Sequence, residues 1–459
     1  MKIHPIQPKA LVLLLAMAWG CGQLAAPASA QQASKLGTEL TPIGAEKAGN
    51  KDGTIPAWSG GDITAAGYKA GQPRPNPYAG DKPLLTINAA NVDKYAARLS
   101  PGQVQLIKSI KGYRMDVYPT HRSCGYPDVV YERSKANVGF AKIAANGYEL
   151  AEANTAGYPF PMPSNGVEAM WNFKMRYQGE GLTWAYATVV PPKGGSGIGE
   201  PLIQEDYILF PLSIPKNNTI AGAKGIESLY LSPYIAPAQF AGDVTLSHGY
   251  IGKPNDIWLY FASQRRVRRA PTYSYDAPIL NDENLETIDQ YTMYNGPLDR
   301  YDYKLVGKKE MIVPYNWNKV NSVENKIADV VQPTFLNRDM TRYETHRVWE
   351  IEATVKQGAR HTFPKRTFYL DEDSWQILVQ DLYDGQGKVQ RVMESGVVMA
   401  TELPACVQEA YASHDLSLGR YIAERIPAGQ KQSDWLAGRE GRVKESMFEP
   451  DGLRRFASR

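Results

Sequence analysis

The stretch Ile257-Trp258-Leu259-Tyr260-Phe261 is apolar at every position. Strand side chains alternate between two faces, so Ile257, Leu259 and Phe261 go to one side and Trp258 and Tyr260 to the other. An antiparallel strand with one solvated face carries polar residues at alternate positions, and this stretch carries none. Such a strand is covered on both sides, or one of its faces lines a cavity. The run Arg265-Arg266-Val267-Arg268-Arg269 follows at once. Read as one strand continuing into the arginines, it puts Arg266 and Arg268 on the face of Trp258 and Tyr260. Two readings stay open for that cluster. One is a solvated strand end whose ion pairs to Asp299, Asp302 or Glu310 contribute little. The other is a cationic rim on an apolar cavity, suited to the anionic head of an amphiphile.

The start of the chain indicates export. Lys2 and Lys9 precede an apolar run over 10–19, and Ala28-Ser29-Ala30 offers the small-x-small pattern of a cleavage site. Residues 1–30 read as a signal peptide cut after Ala30. Cleavage before Cys21 to give an outer-membrane lipoprotein is disfavoured, because Trp19 is bulky where that processing needs a small residue. No later stretch reaches the ~20 apolar residues of a spanning helix. Removing Lys2 and Lys9 takes the formal charge from +3 to +1, so nothing electrostatic favours bulk nucleic-acid binding. Cys124 and Cys406 then remain, either as one bridge or as two buried thiols.

Residues 31–81 are rich in Gly, Pro and Asn without helical or strand period, yet carry Ile55, Trp58 and Tyr68. They read as an extended arm laid over the main body. Asn88 caps a segment with Val92, Tyr95, Ala96 and Leu99 at helical spacing, and Ser100-Pro101-Gly102-Gln103 is a capping box with Pro at the first helical position. A third helix is expected over 132–145, and a fourth, capped by Ser164, carries Val167, Met170, Trp171 and Lys174.

Leu182, Trp184 and Tyr186 alternate with Thr183, Ala185 and Ala187, giving a strand with one large and one small face. Further strands are expected over 203–212, 229–235, 240–251, 257–267, 301–313, 347–355, 367–370, 375–383 and 388–400. Asp371-Glu372-Asp373-Ser374 and Asp384-Gly385-Gln386-Gly387 read as solvated hairpin turns. The fold class is mainly β with some α: an unclosed antiparallel barrel or curved sheet with short helices packed in its concave face. The barrel domain is expected over 82–413 and a polar, basic tail over 414–459.

Catalytic motifs are missing. Gly194-Gly195-Ser196-Gly197 lacks the spacing of a nucleophile elbow, and no H-E-x-x-H or paired C-x-x-C occurs. His121, His248, His346, His361 and His414 have no metal-ligand spacing. No catalytic residue, metal or cofactor is therefore assigned.

Four segments carry a resemblance to a known family: Leu36 through Glu46, Asn165 through Asn172, Gln264 through Pro271, and Asn295 through Met311 with its Asp299-Arg300-Tyr301-Asp302-Tyr303-Lys304 motif. They resemble an exported bacterial family catalogued as domain of unknown function 1329 and labelled outer-membrane lipoprotein-sorting-like. Ala262-Ser263 stands where the family pattern has a Pro-Gly turn. The resemblance implies kinship with the periplasmic carriers of Gram-negative lipoprotein localisation, and a context of inner-membrane RND-type exporters with outer-membrane partners. It carries no catalytic residues.

Three functions are weighed. The first is a periplasmic carrier for a hydrophobic or acylated small molecule, with Trp184, Tyr186, Trp258 and Tyr260 lining the cavity and Arg266 and Arg268 at its rim. The second is a glycan- or cell-wall-binding protein, and the third a hydrolase with an unrecognised site. Mass spectrometry of the mature protein is expected to find Gln31 at its N-terminus and no lipid; the mass of a tri-acylated Cys21 would place it on a membrane instead.

Overall fold

The computed structural model describes residues 1, 28–194, 197–270 and 275–456. Residues 2–27 of the expected signal peptide lie outside them. In chain order the first strands are Leu85–Ile87 (β1), Met115–Val117 (β2), Lys142–Ile143 (β3), Leu150–Glu152 (β4), Gly181–Val189 (β5), Leu202–Leu209 (β6), Ile226–Ala236 (β7) and Val244–Tyr250 (β8). There follow Asp256–Phe261 (β9), Arg266–Arg269 (β10), Tyr301–Pro314 (β11), Tyr343–Val355 (β12) and Lys365–Asp371 (β13). Ile377–Tyr383 (β14), Val389–Ala400 (β15), Ala405–Asp415 (β16) and Arg420–Ile426 (β17) complete the set. The principal helices are Ala28–Lys35 (α1), Pro101–Ser109 (α2), Asp128–Asn137 (α3) and Gly166–Lys174 (α4).

All but β3 and β4 join one sheet of fifteen strands, in the order β1, β2, β12 to β17, then β5 to β10, with β11 on the free side of β12. Pairing is antiparallel apart from a single parallel contact of β2 with β12. The path does not close on itself. A sheet of this width twists and curls, and the fold is the large, unclosed, mainly β architecture expected from the chain.

The two faces bear different covers. On β14, Gln380 donates to the carbonyl of Met293, whereas Asp381 accepts from Ser100 Oγ at 2.9 Å and from Gly102 N at 2.9 Å. Adjacent strand residues point oppositely. The segment 275–298 and α2 therefore lie on opposite faces. The expectation that the helices share one face is corrected here: α4 packs with 275–298, and α2 does not. A sheet carboxylate holds the capping box of α2, and a Cβ on Gly102 would meet Asp381 at 2.2 Å.

Several expected elements shift. The segment after Asn88 forms two 3-10 turns, Val92–Lys94 and Ala96–Arg98, and the third helix is Asp128–Asn137 rather than 132–145. Asn165, not Ser164, caps α4, accepting from Glu168 N at 3.0 Å. The run 257–267 is not one strand. It folds back at Ala262–Arg265 into a hairpin, with Arg266 opposite Phe261 and Arg268 opposite Leu259.

Parts of segment 31–81 are anchored on the body. Ile43, Ala45 and Ile55 are buried, and Arg74 reaches Glu402 at 2.7 Å and Glu409 at 2.8 Å. The tail over 414–459 is corrected more deeply. Arg420–Ile426 is an interior strand between β16 and β5. Beyond it, Val443, Phe448 and Leu453 are buried against Leu231, Leu246 and Tyr260.

Asp371-Glu372-Asp373-Ser374 is no solvated turn either; all four are buried. Arg122 grips Asp373 through two bonds of 2.8 and 2.7 Å, while Lys308 and Arg347 reach Glu372 at 3.0 and 3.3 Å. Three cations, among them Arg122 from 251 residues away in sequence, make that burial tolerable.

Cys124 and Cys406 are joined in a disulfide across 282 residues of sequence. Alkylation of the mature, denatured, unreduced protein is expected to find no free thiol. Replacing both cysteines by serine should lower stability by ~2–5 kcal/mol in urea unfolding, from the lost constraint on so long a loop.

Candidate functional site

A cavity of about 260 Å³ opens on the face that carries 275–298. Strand alternation builds its wall. Ser228, Tyr230 and Tyr234 of β7 face it, as do Thr245 and Ser247 of β8 and Ile257 and Leu259 of β9. Register aligns them, with Tyr230 opposite Ser247, Ser247 opposite Ile257 and Thr245 opposite Leu259. Leu202, Gln204 and Ile208 continue the wall on β6, Thr188 on β5, and Glu424 and Arg425 on β17. The end of α4 contributes Phe173 and Lys174, followed by Met175 and Arg176; the segment 275–298 contributes Ile279, Asp282, Ile288 and Tyr291.

Below the wall lies a buried polar knot. Asp206 is fully buried and accepts from Tyr230 at 3.1 Å and Tyr186 at 3.2 Å. Tyr230 and Tyr291 meet hydroxyl to hydroxyl at 3.0 Å. Arg425 donates to Tyr291 and stands 3.6 Å from Asp206, with its guanidinium over the rings of Trp184 and Tyr291 at 4.4 Å each. Its backbone is left-handed, at φ 56°, a conformation that costs free energy in a residue with a Cβ. Burial holds the Asp206 carboxyl above its ordinary range, against the pull of Arg425.

The cavity's own carboxyls are also perturbed. Burial pushes Asp282 up to about 7. It pushes Glu424 up to about 8, with neighbouring Asp282 and Asp206 adding to the effect. Asp282 accepts from the backbone of Asn284 and Glu286 at 3.2 and 3.1 Å, and Glu424 accepts from Thr188 at 2.8 Å. Lys174 is tied to Glu227 at 2.8 Å. Arg176 donates to the carbonyl of Phe173 at 2.8 Å and forms no ion pair among the described residues. With Glu424 and part of Asp282 protonated at neutral pH, cations outnumber anions around the cavity.

The residues expected at the site are dispersed. Trp184 and Tyr186 are buried beneath the cavity, on its side of the sheet, within the Asp206 knot. Trp258 and Tyr260 are on the other face, packed against the C-terminal segment, and the alternate residues Ile257 and Leu259 face the cavity instead. Both open readings of that strand hold at once, with the faces exchanged. The hairpin also moves the arginines: Arg266 and Arg268 share the side of Phe261 and Leu259, exposed on the free edge strand β10. Asp256, not the acids first considered, pairs with Arg269.

Arg176, Tyr230, Glu424 and Arg425 were missed. A faint signal existed for β7, where Ser228, Tyr230, Ser232 and Tyr234 alternate with leucines at 229 and 231. Another lay in the Glu424-Arg425 pair, set among Tyr421, Ile422, Ala423 and Ile426. Elsewhere, His346, Asp371 and Asp373 bring potential metal-ligand atoms within 4.8 Å of one another. Both oxygens of Asp373 are already held by Arg122, and Asp371 accepts from Tyr315 and Ser374. Asp373 is thus satisfied by the protein, whereas the buried Oδ1 of Asp371 has no hydrogen-bond partner among the described residues.

A family model described as a protein of unknown function (DUF1329) matches residues 86–454. The uncharacterized protein PA3922 of Pseudomonas aeruginosa is 41% identical over 425 residues, covering 92% of each chain. Among solved structures, a domain described as an outer membrane lipoprotein-sorting protein domain, from Vibrio parahaemolyticus, is 13% identical with a TM-score of 0.43, covering 63% of this chain and 98% of its own. A DUF1329 family protein from Desulfovibrio piger is 15% identical with a TM-score of 0.40, covering 60% and 92%.

The raised Glu424 carboxyl has a consequence for stability. Its folded-state value of about 8 lies above the 4.5 of an unperturbed Glu, so folding favours the proton and stability declines as pH rises from about 5 to 8. Glu424→Gln keeps the shape and cannot ionise. Urea unfolding is expected to show the variant gaining on the parent across that window, by up to ~4 kcal/mol. Parallel pH profiles would mean that Glu424 is ionised in the folded protein.

Proposed function

The chain belongs to the DUF1329 family, and from that membership and the cavity we propose that it is a periplasmic carrier of a lipid-like or hydrophobic molecule. The cavity supports this reading. Its wall pairs apolar side chains (Ile208, Leu212, Ile257, Leu259, Ile279) with a few convergent polar groups, the composition of a site that buries a tail and orients a head. The carboxyls facing it are engaged by backbone amides and by Thr188, which favours binding over hydrolysis. Among the described residues no helix is long and apolar enough to cross a membrane. The family resemblance extends the proposal to service between an inner-membrane RND-type exporter and an outer-membrane protein.

One observation favours a second reading, glycan binding: Tyr230, Tyr234 and Tyr291 all reach the cavity, and tyrosines offer flat faces with polar tips. A chain-length series separates the two. A carrier should bind amphiphiles with affinity rising by ~0.8 kcal/mol per methylene until the cavity is full, and solvent extracts of the purified mature protein should contain acyl species. Affinity independent of chain length, with retention on an oligosaccharide column, would favour the glycan reading.

A further inference from the structure

The charge inside the cavity points to the class of molecule it takes, an inference that rests on the carrier reading. Of the three cations on its wall, two are matched by the protein. Lys174 is held by Glu227 and by the carbonyl of Gly296, each at 2.8 Å. Arg425 has Asp206 and the Tyr291 hydroxyl. Arg176 is the exception. Its guanidinium lies 4.0 Å from the ring of Phe173 and gives one N–H to the Phe173 carbonyl; among the described residues its Nε and Nη2 have no protein partner.

Burial is the largest cost to the half-buried Arg176 guanidinium; the Glu227 carboxylate, already bound by Lys174, attracts it from beyond ion-pair distance, and Arg425 adds repulsion. Arginine's planar fork matches carboxylate and phosphate oxygens in pairs. An oxyanion at Arg176 would therefore satisfy the one cation that the fold leaves unmatched. Size narrows the choice further. At about 260 Å³ the cavity lies just below the ~300–1,000 Å³ usual for small-molecule sites, which is room for one aliphatic chain and not for the several chains of a lipoprotein anchor.

We propose that the cavity binds a single-tailed amphiphile with a carboxylate or phosphate head, that Arg176 receives the head, and that Ile208, Ile257 and Leu259 surround the tail. On this proposal Arg176 takes the place of Arg266 and Arg268, which are exposed beside Phe261 and Leu259 on the same side of the sheet but do not line the cavity.

The test uses the full mature protein and four probes below their micellar concentrations: dodecanoate, dodecyl phosphate, 1-dodecanol and dodecyltrimethylammonium. Calorimetric titration of the parent should show at least one anionic probe binding about ten-fold or more tightly than 1-dodecanol, and the better of the two anions identifies the head. Arg176→Gln should erase that preference while leaving 1-dodecanol within about two-fold, and Arg176→Lys should retain part of it. Arg266→Gln with Arg268→Gln should leave all four affinities unchanged.

Loss of the preference in the edge-strand double variant, but not in Arg176→Gln, would overturn the assignment. Equal losses for anionic and neutral probes in a folded Arg176→Gln protein would also overturn it. If that variant does not fold, the preference of the parent decides. Equal binding of all four probes by the parent sinks this inference but leaves the carrier reading intact, whereas no saturable binding of any probe removes both.

Discussion

Arg420–Ile426 is the strand on which the continuity of the sheet depends. On one side Tyr411 to Asp415 pair with it in regular register; on the other it touches β5 through Ala423 opposite Val189 and Ile426 opposite Ala187, with a register shift between. The shift falls where Arg425 turns left-handed, and an irregular pairing of this kind re-aims a side chain. Arg425 and Glu424 both reach the cavity as a result. The seam between the two halves of the sheet and the charged floor of the cavity are one piece of structure. Its charges hold only because Asp206, Tyr291 and Thr188 arrive from elsewhere to meet them.

The cavity exists because the two faces of β7 and β8 are filled differently. Leu229, Leu231 and Leu246 are buried with Val443, Phe448 and Leu453 of the C-terminal segment, at close-packed density. On the other face serines and threonines alternate with Tyr230 and Tyr234. Small side chains beneath the bridging segment 275–298 leave space that the tyrosines only partly occupy. Polar groups there spend their hydrogen bonds on each other, which limits collapse. The apolar strip of Ile257 and Leu259 then closes one side without filling the volume.

Away from the cavity the chain buries charge on a large scale. Arg122 with Asp373 and Arg74 with Glu402 and Glu409 join segments hundreds of residues apart, while Lys308 and Arg347 reach Glu372 from 64 and 25 residues away. Breaking such a pair from one side typically costs ~3–5 kcal/mol, so these contacts fasten the arm and the loops in one arrangement. The Cys124–Cys406 bridge fastens the same region. Against that rigid frame the unpaired guanidinium of Arg176 is the anomaly, and it lies where a ligand can reach.

Local chemistry alone determined much of this molecule. Alternation located most strands, because a period of two reflects the pleat itself. The Ser100–Gln103 capping box located α2, because its donors and acceptors are three residues apart. Apolar residues on both faces of 257–261 demanded cover on both sides or a cavity on one, and the strand has the C-terminal segment on one face and the cavity on the other. Which lay on which side was beyond local reading. A turn at Ala262–Arg265 in place of a continued strand moved Arg266 and Arg268 to the other face, and the sequence carries no measure of how sharply the chain bends there. The acidic turn at 371–374 and the charged strand Arg420–Ile426 look solvated when read alone. Only the tertiary structure brought Arg122, Lys308, Asp206 and Tyr291 to them, and a buried charge is legible only together with the partner that makes its burial possible.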